Sequence, residues 1–138
     1  MRFLAIDVGD KRTGLAVGDD ELRMAQPVCV LEVPIGKQLV DAIVNAINEH
    51  DIDELVIGLP LHMDGSPGQR VDITKQFATQ LAKENALPIH FQDERLTSAA
   101  AEEKLDGSGK THKQKKKIRD ALAATEILSD FLESLAQE

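Results

Sequence analysis

The chain of 138 residues has no tryptophan, no tyrosine and only four phenylalanines. A protein that reads single-stranded nucleic acid by stacking bases on aromatic platforms needs more rings than this. It has a single cysteine, Cys29, which excludes an internal disulfide and fits a reducing cytoplasm. The four histidines, His50, His62, His90 and His112, are scattered, and with one cysteine they form no zinc-ligand spacing. No apolar run approaches the ~20 residues that a membrane span needs. The first residues enter an apolar run directly, without the layout of a signal peptide. Positive charge is also short overall: 16 Lys and Arg against 24 Asp and Glu give a net charge of −8. That balance argues against a protein that simply coats nucleic acid.

The few cations are unevenly spread. Lys110, Lys113, Lys115, Lys116, Lys117 and Arg119 crowd into one short stretch, with His112 among them. A local basic arm in an acidic chain suits an enzyme that grips phosphate at one edge and binds metal at another. The alternative is a solvated lysine loop. The position of the run, immediately before Asp120, favours the functional reading.

Hydrophobic content of 42% and charged content of 29% are those of an ordinary globular protein, and the length predicts one domain over residues 1–138. Phe3 to Val8 reads as a buried strand. A turn at Gly9-Asp10-Lys11 follows, and Gly14 to Gly18 returns as a second strand, a hairpin signal. Val28 to Val33 predicts a third strand. Leu39, Val40, Ile43, Val44 and Ile47 have helical spacing. Leu55-Val56-Ile57 predicts a short buried strand, Ile73, Phe77 and Leu81 a second helix, and Pro88 to Phe91 a fifth strand. Thr97 to Leu105 reads as a short helix capped by Thr97, and Asp106 to Lys117 as a loop. Ala121, Leu122, Ala124, Ile127, Leu128, Phe131, Leu132 and Leu135 stripe a final helix. An antiparallel start followed by alternating helices and strands predicts an α/β fold, a mixed sheet with helices on its faces.

Three carboxylates stand where such a fold would hold them rigidly. Asp7 ends a central apolar run, at the carboxyl end of a strand, where α/β sheets bind ligands. Glu94 lies in Asp93-Glu94-Arg95, just past another apolar run, where acids and a guanidinium can hold a cation and a phosphate side by side. Asp120 opens the last helical pattern. Three carboxylates converging on one spot repel one another, so divalent cations between them would stabilise the group. Hard-metal phosphodiester chemistry follows from that arrangement. Each position also has a plainer role: a turn-starting aspartate, a surface ion pair beside a helix cap, and an acid that complements a helix dipole. Gly107-Ser108-Gly109-Lys110-Thr111 does not complete a Walker A loop, because Lys104 stands where a glycine is needed and the segment follows a helix rather than a strand.

Four motifs, in order and properly spaced over essentially the whole chain, resemble those of the YqgF/RuvX family of small bacterial proteins similar to Holliday junction resolvases. They are Asp7-Val8-Gly9-Asp10-Lys11-Arg12-Thr13-Gly14-Leu15-Ala16-Val17, then Gly58-Leu59-Pro60-Leu61 with Met63-Asp64-Gly65. Asp93-Glu94-Arg95-Leu96-Thr97 is the third, and Asp120-Ala121-Leu122-Ala123-Ala124 with Ile127-Leu128 the last. The resemblance implies a ribonuclease H-like fold with a mixed five-stranded sheet and helices on both faces. It implies a metal-dependent endonuclease, with Asp7, Glu94 and Asp120 as catalytic ligands of two Mg²⁺ or Mn²⁺ ions. Arg119 departs from the small or apolar neighbour expected before the last aspartate, and would compete with metal for Asp120.

The function so implied is ribosome biogenesis in the cytoplasm, with processing of the 5′ end of pre-16S rRNA, alone or within a ribosomal particle. Lys11, Arg12 and Arg95 are candidates for phosphate contact, and Lys113, Lys115, Lys116 and Lys117 for steering the substrate. The alternatives are a resolvase that cleaves four-way DNA junctions and a non-catalytic ribosome-assembly factor that binds RNA.

Overall fold

The computed structural model describes residues 1–60, 68–93 and 112–136, the side chains of 112–118 excepted. Five strands form one sheet: β1 (Arg2–Asp7), β2 (Thr13–Asp19), β3 (Met24–Leu31), β4 (Glu54–Leu59) and β5 (Ile89–Asp93). Among the described residues three helices pack on it: α1 (Lys37–Glu49), α2 (Gln69–Glu84) and α3 (His112–Ala136). The strand order is β3-β2-β1-β4-β5. β1 pairs antiparallel with β2, and β2 with β3, whereas β1–β4 and β4–β5 are parallel. The expected mixed sheet and its antiparallel start are therefore present.

β1 lies at the centre, and its composition explains why. Phe3, Leu4, Ala5 and Ile6 are all buried, a continuous apolar run that only a strand covered on both faces tolerates. Side chains alternate across the pleat. Leu4, Ile6 and Val8, with Leu15, Leu55 and Ile57, face α1 and α2, where Leu39, Val40, Ile43, Ile47, Phe77 and Leu81 close over them. Phe3 and Ala5, with Ala16 and Val56, face the other way and are covered by Ala124, Ile127, Leu128, Phe131 and Leu132 of α3. Phe3 and Phe131 meet edge to face at 5.4 Å. The i, i+3, i+4 recurrence along α3 matches this single buried stripe.

β3 is an edge strand. Pro27, which has no amide hydrogen to donate, is tolerated there, and the register shift between Leu15 and Ala16 leaves Val28 as the extra residue of a bulge. A proline and a bulge both blunt an edge against pairing with another chain.

Several boundaries differ from those that composition predicts. β3 begins at Met24, four residues before the expected Val28, because pairing with β2 holds residues of modest strand propensity in extended form. β5 runs on through Asp93, paired with Leu59, so Asp93 belongs to the strand rather than to the segment after it. The largest correction concerns residues 112–117, the described part of the stretch 106–117 that is expected as a loop. The backbone is already helical at His112, so Lys113, Lys115, Lys116 and Lys117 lie on the first turns of α3. Lysine is a good helix former, and six cations within ten residues mask that propensity when the stretch is read by charge alone. Asp120 consequently sits more than two turns inside α3 and does not open it. The dipole argument for an acid at that position falls with this. The expected helix from Thr97 to Leu105, the Gly107–Thr111 segment and Leu61 to Pro67 lie outside the described residues. Among the described residues no helix is long and apolar enough to cross a membrane.

Candidate active site at the carboxyl ends of the parallel strands

Asp7 is the last residue of β1 and is half-buried. Pleat alternation puts it on the face of Phe3 and Ala5, the face that α3 covers. Its partner across the antiparallel pair is Gly14. At Gly14 the backbone of α3 lies hard against the sheet: a Cβ added there would lie 2.0 Å from the backbone oxygen of Asp120. No side chain other than hydrogen fits between the strand and the helix at that point. One glycine thus sets the strand aspartate and the helix aspartate beside each other. Asp7 comes from the first motif and Asp120 from the last, and β2 bridges them.

The connection Val8–Arg12 arches over this spot. A Cβ on Gly9 would fall 2.3 Å from the carbonyl oxygen of Arg12, so the loop closes tightly on itself. Arg12 then turns its side chain to the helix, and its Nε donates to Oδ2 of Asp120 at 3.2 Å. Both side chains are about three-quarters covered (23% and 27% exposed), which makes the pair stronger than an ion pair on open surface. Gly9, Asp10, Lys11, Arg12 and Asp120 line a cleft of about 300 Å³, with Lys11 exposed at its side. Arg12 thus brings a cation to Asp120 from the opposite end of the chain.

Sequence reasoning missed Arg70. It sits in the first turn of α2, and its guanidinium donates to the carbonyl oxygen of Val8 at 3.1 Å and pairs with the carboxylate of Asp10. This clasp ties the Val8–Arg12 loop to α2. A signal did exist in the sequence: a cation in the first turn of a helix opposes the dipole and calls for a nearby acid. Nothing in the sequence says that the acid is Asp10, 60 positions earlier.

The parallel strands end level with one another. Ile6 pairs with Ile57, and Ile57 with Phe91, so Asp7, Gly58 and Gln92 come at one height and Asp93 one step beyond. His90 of β5 stacks against Phe131 of α3 with centroids 5.0 Å apart, so the even positions of β5 share the face of Asp7. Glu94 and Arg95, the next candidates, lie outside the described residues, as does Lys110. The side chains of Lys113, Lys115, Lys116 and Lys117 lie outside them too. Among the described residues no three histidine, cysteine, aspartate or glutamate side chains gather as a metal-binding group. Asp7 and Asp120 are the two of the three expected carboxylates that fall within the described residues.

Solved structures with this fold include the RuvC resolvase of T. thermophilus in complex with a Holliday junction substrate. It has a TM-score of 0.59 at 15% identity, with 99% of this chain and 96% of that chain covered. The Fowlpox virus resolvase in complex with junction DNA matches with a TM-score of 0.61 at 10% identity, over 98% of this chain and 99% of that one. At these identities the likeness establishes a ribonuclease H-like fold. Relatives in sequence are closer. A protein of Lactococcus lactis subsp. cremoris (strain SK11) is 39% identical over 137 residues, covering 98% of this chain and 96% of its own. One from Dechloromonas aromatica (strain RCB) is 38% identical over 131 residues, covering 95% and 90%. Both carry the name "Putative pre-16S rRNA nuclease". The family model RuvX, described as Holliday junction resolvase, matches residues 1–134, and with that match over nearly its whole length the chain belongs to the RuvX family.

Proposed function

We propose that this protein is a metal-dependent endonuclease that trims the 5′ end of pre-16S rRNA. The observation that carries the chemistry is the convergence of Asp7 and Asp120 over Gly14. Carboxylate oxygens are hard donors, and this donor set suits Mg²⁺ or Mn²⁺ rather than a thiophilic metal. Glu94 follows directly in sequence on Asp93, the last residue of β5. It is the proposed third ligand, and three carboxylates suffice for the two-ion arrangement common to phosphodiester hydrolysis. When bound, such cations supply an activated water and neutralise charge on the leaving oxygen.

The chain's own residues do the rest. Asp7 and Asp120 orient whatever cation they hold, because one is fixed by the central strand and the other by helix packing. Lys11, Arg12 and Arg95 bind substrate phosphates. Lys113, Lys115, Lys116 and Lys117 lie on the helix that carries Asp120, so nucleic acid drawn to them is drawn toward the site. A helix N-terminus rich in lysine is unfavourable by its dipole alone, and a polyanion lying across it relieves the repulsion. The relatives' names supply the RNA substrate.

A second reading, cleavage of four-way DNA junctions, is supported by the fold shared with the two resolvases and by the family's description. A third, RNA binding without turnover, keeps the fold and drops the chemistry. The test is cleavage of a labelled precursor fragment spanning the mature 5′ end of 16S rRNA, and of a labelled four-way junction. Each is run with Mg²⁺, Mn²⁺ or EDTA. Metal-dependent cleavage of the RNA alone is expected. Asp7→Asn and Glu94→Gln are each expected to lower it by at least about a thousandfold, roughly 4 kcal/mol of barrier, with unchanged melting temperature. Cleavage of the junction alone would establish the resolvase. Binding of RNA without cleavage of either would establish the assembly factor, and full activity in both variants would remove the site assignment.

A further inference from the structure

Arg12 occupies an unusual position: it pairs with Asp120, yet it belongs to the loop that lines the cleft and is proposed above to grip phosphate. Its backbone is fixed. β1 and β2 hold the two ends of the loop, Gly9 packs against the carbonyl of Arg12, and Arg70 clasps Val8 and Asp10. Asp120 is equally fixed, with its backbone seated on Gly14. Only the long Arg12 side chain is free to change partner. A divalent cation ligated by Asp120 has to displace the guanidinium, since both compete for one carboxylate. The other carboxylate on the loop, Asp10, is held by Arg70. The released guanidinium stays in the cleft beside Lys11, where a phosphodiester is the next anion it can meet. Its planar fork of donors fits phosphate oxygens in pairs.

We propose that Arg12 is an exchange cation. It neutralises Asp120 in the metal-free protein and passes to a substrate phosphate when a divalent cation takes Asp120. This deepens the nuclease reading and rests on Asp120 as a metal ligand in it. The exchange links the two binding events, so metal raises the affinity for RNA and RNA raises the affinity for metal by the same factor. It also keeps the RNA grip incomplete until the metal is in place.

Two measurements test the exchange without using turnover. The first is titration of RNA-free protein with Mn²⁺, followed by electron paramagnetic resonance of the free ion. Arg12→Gln should bind Mn²⁺ about three- to tenfold more tightly than wild type, as expected when a part-buried competing cation is removed. Arg12→Lys, which keeps the charge, should stay near wild type and shows that the loop still folds. The second is binding of the labelled 16S precursor fragment in EDTA. Asp120→Asn should bind it about three- to tenfold more tightly than wild type, because the guanidinium is released. The gain should vanish in the double variant Asp120→Asn/Arg12→Gln, which separates release of Arg12 from mere loss of a negative charge. An unchanged or weaker Mn²⁺ affinity in Arg12→Gln overturns the exchange. So does a gain that persists in the double variant. If Mn²⁺ binding is weakened by Asp7→Asn and Asp120→Asn but untouched by Arg12→Gln, the metal site stands and the exchange alone falls. If wild type and Arg12→Gln bind no Mn²⁺, both fall.

Discussion

The two faces of the sheet are built from different materials. The face toward α1 and α2 is filled by large side chains, with Leu4, Ile6, Leu15, Ile43, Ile57, Phe77 and Leu81 interlocked and almost wholly removed from water. On the face toward α3 the strands carry Ala5, Gly14, Ala16 and Gly18, and the bulk comes from the helix and from Phe3 and Val56. Large residues hold a helix at a distance, and small ones let it descend. The first face therefore supplies most of the apolar burial. The second brings a helix backbone onto a strand, which is what places Asp120 next to Asp7. The carboxylates stand on the thin face because only there can a helix side chain reach the end of the central strand.

Substitutions on the two faces should separate these roles. Ile43→Ala, deep under α1, should cost about 2–5 kcal/mol of stability as a cavity opens. Cleavage by the protein that remains folded should be near normal, since the carboxylates stay where they are. Denaturant melts alongside cleavage measured well below the midpoint would show this. Gly14→Ala should do the reverse. An overpacked contact costs about 1–3 kcal/mol, less than Ile43→Ala. Yet the helix must shift away from β2, so cleavage and Mn²⁺ affinity should drop far more than stability does. If Gly14→Ala cleaves normally, the close approach of α3 has no part in assembling the site. If Ile43→Ala loses cleavage while folded, the division between the faces is wrong.

Much of this arrangement was legible in the chain. The apolar run from Phe3 to Ile6 marks a strand covered on both faces, and the helical stripe from Ala121 to Leu135 marks the helix that covers one of them. The position of Asp7 at the strand's carboxyl end follows from the run's length. What local pattern does not carry is long-range. Gly14 reads as a hairpin residue, and only the packed helix shows it as the seat of Asp120. Arg12 reads as one more loop cation, and Arg70 as an ordinary helix residue. Their partners lie 108 and 60 positions away, beyond any periodicity. The start of α3 was hidden for another reason: a cluster of like charges signals a solvated loop, whereas helix propensity and the packing of the following turns carry the backbone back to His112.

The Arg70 clasp sits between the two faces, since it joins α2 on the thick face to the loop above the thin one. Arg70→Gln removes its charge from Asp10 and the fork from Val8. A loss of less than about 1 kcal/mol in stability is expected for a pair this exposed. Cleavage should fall by about tenfold, carried by weaker RNA binding rather than by metal affinity, because the loop bearing Lys11 and Arg12 loosens while Asp7 and Asp120 stay held by strand and helix. A matching fall in Mn²⁺ affinity would mean that the clasp also holds Asp7.

The smallest effect lies on the outer side of α3. Partial burial raises the Asp130 carboxyl above its usual value near 3.8, and the neighbouring Glu133 adds to it. A folded-state value above the unfolded one means that the charged form is disfavoured by folding. Stability contributed by the neutral form is present at low pH and is lost as pH rises through the raised value. Asp130→Asn should therefore raise the melting temperature slightly at pH 7 and leave it unchanged at pH 3, where wild type is neutral there too. Cleavage at neutral pH should not move, because Asp130 lies on the turns of α3 that pack over Phe3, well beyond the turn that carries Asp120. A change in cleavage with Asp130→Asn would show that the register of α3 on the sheet responds to charge along its whole length. The seat on Gly14 would then be one of several contacts that place Asp120.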